Sequence, residues 1–277
     1  MKNNAADGKS AFRKKLQQPA IAPGYKGSDK LHDKIALITG GDSGIGKSVA
    51  LYFAREGAHI GIVYLKSTRD ALETKKLVEA EGRECALFEG DIANEALCKR
   101  VVRSMIKKFG QIDILVNNAG MHEDDKSLQD ISTKQLHRTF SVNLFSCFYI
   151  TKAVLEHMPE GGSIINTTSV TAYRGSNHLI DYAATKGALV SFTRSLAQNL
   201  AKQHIRVNAV APGPVWTELV IDAFDAAHLK KFGKDTPMGR AGYPYEIAPA
   251  YVYLAGDDSS YTTGQVIHIN GGEIING

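Results

Sequence analysis

The sequence predicts an α/β protein with one doubly wound parallel sheet of seven strands and helices on both faces. From residue 35 onward, short apolar segments alternate with amphipathic helical segments. This alternation is typical of a parallel sheet whose crossover helices cover it on both sides. A glycine cluster after the first strand fits a tight strand-to-helix turn. The expected strands are Ile35–Thr39, Ile60–Leu65, Ala86–Gly90, Ile112–Asn117, Ser163–Thr168, Arg206–Ala211 and Gln265–Ile269.

Length and composition fit a single large domain. The chain has 277 residues, of which 43% are hydrophobic, and one α/β domain can use all of them. No apolar run reaches the ~18 residues of a membrane span, so we expect no membrane partner. Residues 31–277 are the predicted domain, and residues 1–30 form a leader without the apolar core of a secretory signal. A flexible tail is favoured for the leader, and an arm packed on a neighbouring subunit is the alternative.

The positive charge of the chain belongs to its leader. The formal net charge is +4, but residues 1–30 contain seven Lys or Arg and only Asp7 and Asp29 as acids. The remaining residues contain 26 basic and 27 acidic side chains. A nucleic-acid-binding domain concentrates positive charge on its body, so this distribution predicts no nucleic-acid partner.

The cysteine pattern indicates a reducing compartment. Cys85, Cys98 and Cys147 are widely spaced, and an odd number of cysteines fits no closed disulfide framework. We therefore expect reduced thiols and a cytoplasmic location. No His, Cys and carboxylate cluster has the spacing of a metal site, so no catalytic metal is predicted.

Several helix boundaries can be read directly. Residues 47–56 form an apolar stripe at helical spacing, and Gly57 follows where such a helix ends. Asn94 is the expected N-cap of the helix that ends near Phe109. Ser132, with Gln135 three residues later, forms a capping-box pattern that opens a long helix.

The first strand leads into a glycine-rich turn, Thr39–Gly46, and then into a helix. Glycines at such a turn let a pyrophosphate approach backbone N–H groups at the helix N-terminus. The spacing is Gly-x-x-x-Gly-x-Gly, and a glycine cluster alone is weak evidence, so the flanking strand and helix carry the interpretation. The predicted cofactor-binding residues here are Gly40, Asp42, Ser43, Gly44, Ile45 and Gly46.

The residues after the second strand bear on cofactor choice. Binders of NAD place an acid there to hold the ribose 2′-hydroxyl, but here Tyr64 and Leu65 are followed by Lys66 and, later, Arg69. These cations could meet the 2′-phosphate of NADP, so NADP is weakly preferred over NAD. The alternative is that both are solvated residues at a helix start. Tyr64, Leu65 and Lys66 are the predicted cofactor contacts.

Two further strand ends are candidate cofactor contacts, because open α/β sheets bind ligands at the carboxyl edge. Asp91 and Ile92 follow the third strand, and the carboxylate could accept a hydrogen bond from an adenine amino group. The fourth strand ends in small residues that would let the backbone approach a cofactor, or it is an ordinary strand exit. The predicted contacts there are Asn118, Ala119 and Gly120.

A tyrosine and a lysine stand one helical turn apart at Tyr182 and Lys186. Residues at i and i+4 share a helix face, and an ammonium within about 4–6 Å lowers the pKa of an acid by roughly 1–3 units. A phenol starts near a pKa of ~10, so this pair could supply a proton donor and acceptor near neutral pH. Alone, such a pair is usually an exposed helix face.

Taken together, these motifs resemble those of the short-chain dehydrogenase/reductase family, and the resemblance spans roughly Lys34 to Gly272. It implies a Rossmann-type sheet. The region 239–249 and the leader segment 24–27 are similar to a bacterial subgroup whose members are often labelled glucose dehydrogenase-like or aldehyde reductase-like. The motifs are Thr39–Gly46, Asn117–Gly120, Asn143, Ser169, Tyr182 to Lys186, and Pro212 to Thr217.

The resemblance implies a catalytic role for four residues. Tyr182 would be the acid in carbonyl reduction and the base in alcohol oxidation, and Ser169 would hydrogen-bond the substrate oxygen. Lys186 would lower the tyrosine pKa and bind the nicotinamide ribose. Asn143 would hold a water that joins Lys186 to solvent, and a helix bend there is expected because asparagine is a modest helix former.

The resemblance also implies contacts at the nicotinamide end. Pro212 and Gly213 would frame the ring, Val215 and Thr217 would meet its carboxamide, and residues 217–237 would form a lid over the substrate. A surface helix is the alternative for that segment. By family analogy the chain is expected to be a homotetramer.

The implied function is NAD(P)-dependent hydride transfer to or from a small alcohol or carbonyl compound, such as an aldehyde, ketone, polyol or sugar. The alternative is a non-catalytic nucleotide sensor, which would have no need of a proton donor beside a lysine. The predicted substrate residues are Ser169, Thr171, His178, Tyr182 and Trp216. Further pocket candidates are Met121, His122, Val170 and Tyr173, with Phe224, His228, Leu229 and Phe232 on the lid.

Overall fold

A computed structural model describes residues 4–274 and contains one parallel seven-stranded sheet with the order β3-β2-β1-β4-β5-β6-β7. All the strand pairs in it are parallel. This confirms the predicted fold class. The strands are β1 Ile35–Thr39, β2 His59–Tyr64, β3 Cys85–Glu89, β4 Ile114–Asn117, β5 Ser163–Thr167, β6 Arg206–Pro212 and β7 Val266–Ile269.

The central strands are buried on both faces, which explains why they read as continuous apolar runs. In β1 the residue Leu37 lies opposite Gly61 of β2 and Leu115 of β4. Because side chains alternate along a strand, Leu37 packs into one hydrophobic cluster and its neighbours Ala36 and Ile38 pack into the other. The sheet therefore separates two cores.

Helices cover both faces. Residues of α2 and α11 contribute to the core on one face, and residues of α4, α6 and α8 contribute to the core on the other. The helices are α1 Asn4–Arg13, α2 Gly44–Arg55, α3 Thr68–Ala80, α4 Glu95–Phe109, α5 Thr133–Phe140, α6 Ser146–Leu155, α7 Thr171–Arg174, α8 Ile180–Leu200, α9 Glu218–Ala223, α10 Ala226–Lys231 and α11 Pro244–Ala255.

The expected helix starts are present, with one change in the long helix. The side chain of Asn94 accepts a hydrogen bond from the backbone N of Leu97, and that of Ser132 accepts one from Gln135. The helix that Ser132 opens is interrupted by a π-helical turn, Ser141–Phe145, between α5 and α6. Such turns are rare and frequently mark functional positions.

Residues 4–30 of the leader lie against the domain, whereas the sequence favoured a flexible tail; the first three residues lie outside the described part of the chain. Phe12 of α1 stacks on Trp216 with ring centroids 6.1 Å apart. The Nζ of Lys9 donates to the carbonyl oxygen of Ile221 at 2.8 Å, and Arg13 pairs with Asp222 at 3.1 Å. The apolar residues of the leader thus pack on an apolar surface that is distant in sequence. The composition of the leader alone therefore does not predict this contact.

A buried carboxylate fixes the end of the leader. Glu56, at the end of α2, is 0% exposed. Its carboxylate accepts hydrogen bonds from the hydroxyl of Tyr25 and from the backbone N atoms of Ser28 and Lys30, the latter two at 2.9 and 3.1 Å. Burial alone would raise the pKa of Glu56, but these donors lower it overall. A buried charge is tolerated when it is hydrogen-bonded in this way.

All three cysteines are buried thiols. Burial raises the pKa of Cys147 to about 11 and those of Cys85 and Cys98 to about 12. Within residues 4–274, no helix combines the length and the apolar character needed to cross a bilayer. No group of three His, Cys, Asp or Glu in that range is arranged to hold a metal ion.

Candidate active site

A large cleft opens at the carboxyl edge of the sheet, where β1, β2, β4, β5 and β6 end. Its volume is about 1170 Å³, which is large enough for a dinucleotide together with a small substrate. Predicted residues that line it are Gly40, Asp42, Ser43, Gly44, Ile45, Tyr64, Leu65, Asp91, Ile92, Asn118, Ala119, Gly120, Ser169, Thr171, His178, Tyr182, Lys186, Pro212, Gly213, Val215 and Thr217.

The turn between β1 and α2 has the geometry of a pyrophosphate cradle. Gly40 and Gly44 have φ angles of 64° and 52°, which L-residues rarely adopt. Gly46 does not line the cleft, but a Cβ on it would stand 2.0 Å from the carbonyl oxygen of Gly40. Only glycine lets α2 start this close to the turn, and its N-terminus then faces the cleft. These residues fit a dinucleotide.

Asn118 braces the cradle from the neighbouring strand. Its Nδ2 donates to the carbonyl oxygens of Thr39 and Gly40, both at 3.1 Å. The hydroxyl oxygen of Thr39 in turn accepts hydrogen bonds from the backbone N atoms of Asn118 and Ala119. The ends of β1 and β4 are therefore tied together, and the glycine turn is held open before any ligand binds.

Asp91, which follows β3, has a partner that could not be identified from the sequence. Arg138 of α5 lines the cleft and pairs with the carboxylate of Asp91 at 2.6 Å. Burial would raise the pKa of Asp91, but the hydrogen bonds from Arg138 and the backbone N of Ala93 lower it overall. Asp91 is thus a charged acceptor. Nothing in the sequence linked Arg138 to it, because the two lie 47 residues apart.

The basic residues after β2 lie beside the cleft. Leu65 lines it, while Lys66 and Arg69 are exposed and are not among the described lining residues. Their side chains thus face solvent next to the end of β2. The predicted contact at Lys66 depends on its long side chain turning toward the cofactor.

Ser169, Tyr182 and Lys186 come together at the centre of the cleft. Ser169 follows β5, and the other two lie one turn apart near the start of α8. The Nζ of Lys186 is 5.5 Å from the centroid of the Tyr182 ring and donates to the carbonyl oxygen of Thr167 at 2.7 Å. The hydroxyl of Thr168 donates to the backbone oxygen of Lys186 at 2.8 Å. Strand β5 therefore positions α8 directly.

The pKa values of this group are set by burial. Burial raises the pKa of Tyr182 to about 12, although a hydrogen bond with Ser169 acts in the opposite direction. Burial also lowers the pKa of Lys186 to about 8. The sequence suggested that Lys186 would bring the phenol toward neutral pH. In this protein by itself, the loss of hydration at Tyr182 is the larger effect.

Asn143 occupies the π-helical turn and points toward Gly120. Its Oδ1 accepts a hydrogen bond from the backbone N of Met121 at 2.8 Å, and its Nδ2 donates to the Met121 carbonyl at 2.9 Å and to the Thr185 hydroxyl at 3.2 Å. A Cβ on Gly120 would be 3.6 Å from both Asn143 Oδ1 and Lys186 Nζ. Asn143 is buried behind the lining and joins β4 to α8 at this point.

The loop after β6 lines the cleft where contacts with the nicotinamide are predicted. A Cβ on Gly213 would stand 2.7 Å from the Cα of Asn270, so glycine is needed for this close crossing. The side chain of Thr217 caps α9. Next to it, burial raises the pKa of Glu218, whose Oε2 has no hydrogen-bond partner among the described residues. Sequence analysis missed this carboxyl, since it looks like an ordinary residue of a first helical turn.

The substrate side is lined as predicted, with three exceptions: Trp216, Tyr173 and Leu229, the last of which is buried in the apolar cluster that contains Trp216. Met121, His122 and Val170 line the cleft beside Thr171 and His178, as do Phe224, His228 and Phe232 of the segment that carries α9 and α10. Trp216 does not line it, because its ring packs between Phe12 and Phe232. Tyr173 turns away to pack against His268.

Comparison with known proteins agrees with this geometry. The family model described as Enoyl-(Acyl carrier protein) reductase matches residues 40–273. An uncharacterized oxidoreductase, YhxC of Bacillus subtilis, is 57% identical over 252 residues, which are 91% of this chain and 88% of that protein. The NADPH-dependent aldehyde reductase 1, chloroplastic, of Arabidopsis thaliana is 49% identical over 91% of this chain and 90% of its own length.

Solved structures share the fold. The crystal structure of a short chain dehydrogenase from Burkholderia cenocepacia in complex with NADP superposes with a TM-score of 0.83 at 32% sequence identity. The match covers 88% of this chain and 98% of that one.

Proposed function

This chain belongs to the short-chain dehydrogenase/reductase family and is an NAD(P)-dependent oxidoreductase, and from that premise we propose that it reduces small aldehydes, ketones or sugars, or oxidises the corresponding alcohols and polyols, with NADP(H) as the preferred cofactor. The observation that carries the proposal is the meeting of Ser169, Tyr182 and Lys186 beside the glycine cradle, in one cleft.

Each side chain has a defined task in carbonyl reduction. A bound nicotinamide dinucleotide supplies the hydride that adds to the carbonyl carbon. Ser169 holds the carbonyl oxygen by a hydrogen bond, and Tyr182 donates its hydroxyl proton to that oxygen as negative charge develops there. The product is an alcohol and Tyr182 is left as a phenolate. In alcohol oxidation the same groups act in reverse.

Lys186 stabilises the phenolate and binds the cofactor. Its Nζ stands near the Tyr182 ring and has donors to spare after the bond to Thr167. We propose that these donors hold the nicotinamide ribose and that Asn143, which is hydrogen-bonded to Met121 and Thr185, orders a water for return of the proton from solvent. Lys186 is buried and Tyr182 is half-buried, which limits the access of bulk water to the reacting atoms.

The cofactor preference rests on charge at the end of β2. Lys66 and Arg69 are exposed there, and no acid directly follows β2 to hold a ribose 2′-hydroxyl. A 2′-phosphate would gain charge-assisted hydrogen bonds from these cations. The Arabidopsis relative is named NADPH-dependent, which supports the same choice.

The test is direct. NADPH and NADH are titrated against the protein by fluorescence, and the tighter-binding cofactor is then used with a panel of aldehydes, ketones and sugars. We expect tighter binding of NADPH and measurable oxidation of it by one or more carbonyl compounds. Cofactor binding without turnover across the panel would favour the nucleotide-sensor alternative.

We also propose that the chain assembles as a homotetramer. Phe145 in the π-helical turn and Phe148 on α6 are 39% and 49% exposed, and the ring of Phe148 packs against that of Phe192 on α8 with centroids 4.3 Å apart. Strand β7 is an edge strand of the sheet. Both surfaces suit subunit contacts. Size-exclusion chromatography with light scattering should give four times the 30.0 kDa chain mass, and Phe148→Asp should reduce it.

We further propose a cytoplasmic location, which suits three buried thiols. Fractionation of the source cells would test it, and recovery of the protein outside the cytoplasm would contradict it.

A further inference from the structure

Two histidines that line the cleft, His122 and His178, have buried ring nitrogens without a hydrogen-bond partner among the described residues. His122 is 9% exposed and lines the cleft, and its ring edge lies against the Tyr182 ring with centroids 5.3 Å apart. Its Nδ1 is buried and has no hydrogen-bond partner among the residues that the structure describes. A buried polar atom next to the proton donor is thus available to a ligand.

His178 repeats this arrangement on the other side of a shared aromatic floor. Both of its ring nitrogens are buried without a hydrogen-bond partner in the described part of the chain, and Asp124 stays 3.7 Å from its Nδ1. Phe224 lies beneath both imidazoles, at 5.4 Å from His122 and 5.7 Å from His178. An unmade hydrogen bond in a buried site carries a free-energy penalty, which a bound polar group would remove.

The charge state of His122 limits the chemistry of the ligand group that it can bind. Burial, together with Lys186, lowers the pKa of His122 to about 4, so its imidazole is neutral at pH 7. A neutral imidazole has one donor and one acceptor, and a hydroxyl group can satisfy either. The cations Lys231 and Lys234 also line the cleft but are exposed. Beside Tyr182, the cleft thus presents the neutral imidazole of His122 as well as the ammonium of Lys186.

We propose that His122 and His178 are specificity-determining residues that select carbonyl substrates with hydroxyl groups close to the reacting carbon. His122 binds the hydroxyl nearest to the carbonyl held by Tyr182 and Ser169, and His178 binds one farther along the chain. The preferred substrates are thus hydroxyaldehydes and hydroxyketones and, in oxidation, vicinal diols and longer polyols. This inference rests on the proposed function, because it concerns the same site.

Matched substrate pairs test it. With the full chain and NADPH, kcat/KM is measured for hydroxyacetaldehyde against acetaldehyde and for glyceraldehyde against propionaldehyde. We expect the hydroxylated member to be favoured by at least about tenfold, because a site built to bind a hydroxyl rejects an analogue without it. His122→Phe should reduce the ratio by about tenfold for both pairs, and His178→Phe should reduce it by about tenfold for glyceraldehyde against propionaldehyde only. His122→Asn, which keeps a donor and an acceptor, should retain more of the ratio than His122→Phe.

The controls separate specificity from folding and from failure of the proposed function. His157→Phe makes the same change at an exposed histidine outside the cleft and should leave the ratio unchanged. Thermal unfolding identifies any variant that does not fold, in which case the Asn variant is decisive. A ratio unchanged in the Phe variants, or equal losses on both members of a pair, overturns the inference alone. No turnover of any carbonyl compound contradicts the proposed function and this inference with it.

Discussion

The Nζ of Lys186 donates a hydrogen bond to the carbonyl oxygen of Thr167 at 2.7 Å, so the last residue of β5 holds the lysine of α8 in place. Burial lowers the pKa of this lysine from its ordinary value of 10.5 to about 8. The active-site geometry is therefore maintained by a group whose charge is costly to bury. Stability and chemistry are coupled at this one residue.

The first prediction concerns the stability cost of Lys186. Its pKa is lower in the folded state, so the unfolded state holds more protons between about pH 8 and 10.5. The destabilisation caused by burying the charge is full below pH 8, decreases as the pH rises through that window and is absent above it. Lys186→Met should thus raise the free energy of unfolding by about 1–2 kcal/mol at pH 7. The gain should shrink at pH 10.

Urea denaturation at both pH values measures this effect. Lys134→Met, at an exposed position on α5, is the matched control and should change little. A Lys186→Met variant less stable than the parent at pH 7 would show that the bond to Thr167 outweighs the burial of charge. The same variant should bind NADPH more weakly, as the fluorescence titration would report.

The second prediction tests the proton donor. Tyr182→Phe removes the hydroxyl that protonates the carbonyl oxygen, and kcat should fall by about 10²–10⁴-fold. The affinity for NADPH should stay nearly the same, because the ring remains in place. Tyr173→Phe, which removes a hydroxyl outside the main cleft lining, is the control. Near-normal turnover by the Tyr182 variant would reject its assignment as the acid.

The third prediction concerns the end of β2. Lys66→Asp places an acid where NAD-binding proteins hold the ribose 2′-hydroxyl, and it repels a 2′-phosphate. The ratio of kcat/KM for NADPH to that for NADH should fall by about tenfold, a change of ~1.4 kcal/mol. Lys76→Asp, exposed on the neighbouring helix α3, controls for net charge. If both variants give the parent ratio, Lys66 does not contact the phosphate.

The fourth prediction concerns the leader. Phe12 stacks on Trp216, and α1 also binds the end of α9 through Lys9 and Arg13. Because α9 carries residues that line the substrate side of the cleft, loosening it should disorder that wall. Phe12→Ala should raise KM for the carbonyl substrate about fivefold and change KM for NADPH less.

Steady-state kinetics with each substrate varied in turn gives both constants. Lys15→Ala, at an exposed leader position, should behave as the parent does. A Phe12→Ala variant with unchanged KM for the carbonyl substrate would mean that the leader rests on α9 without supporting it.

The fifth prediction concerns Glu56. Glu56→Gln removes the charge that holds Tyr25 and the backbone of Ser28 and Lys30. Hydrogen bonds to a buried charged group contribute about 1.5–3 kcal/mol, so we expect a loss of about 2 kcal/mol in the free energy of unfolding. Urea denaturation measures it, with Glu160→Gln at an exposed site as the reference. Equal stability of the two variants would contradict the role given to Glu56.

The sheet could be predicted because the local sequence of each strand indicates a strand. Apolar runs such as Ile35–Thr39 and Ser163–Thr167 are buried on both faces, and every predicted strand lies within two residues of an observed one. The glycine turn could also be predicted from the sequence, since positive φ at Gly40 and Gly44 restricts the residue type. Asn143 lies in a π-helical turn, and the bend expected there stays a prediction.

Contacts between distant segments were not predictable. Phe12 and Leu16 are isolated apolar residues among basic ones, and only the folded chain shows the apolar site that they cover. The same contact moves Trp216 out of the substrate pocket, where the sequence had placed it. Arg138 was missed because its partner Asp91 belongs to another element. The raised pKa of Tyr182 follows from burial, which motif spacing does not report.

The reactivity of the three buried thiols can report on local unfolding of this protein. Alkylating reagents attack thiolates, and burial keeps Cys85, Cys98 and Cys147 both covered and protonated near neutral pH. Modification should therefore proceed only from molecules that have transiently unfolded around each thiol. Because Cys85 lies on the edge strand β3 and Cys147 lies on α6 beside the active site, site-resolved alkylation rates would distinguish fraying of the sheet edge from exposure of the catalytic centre.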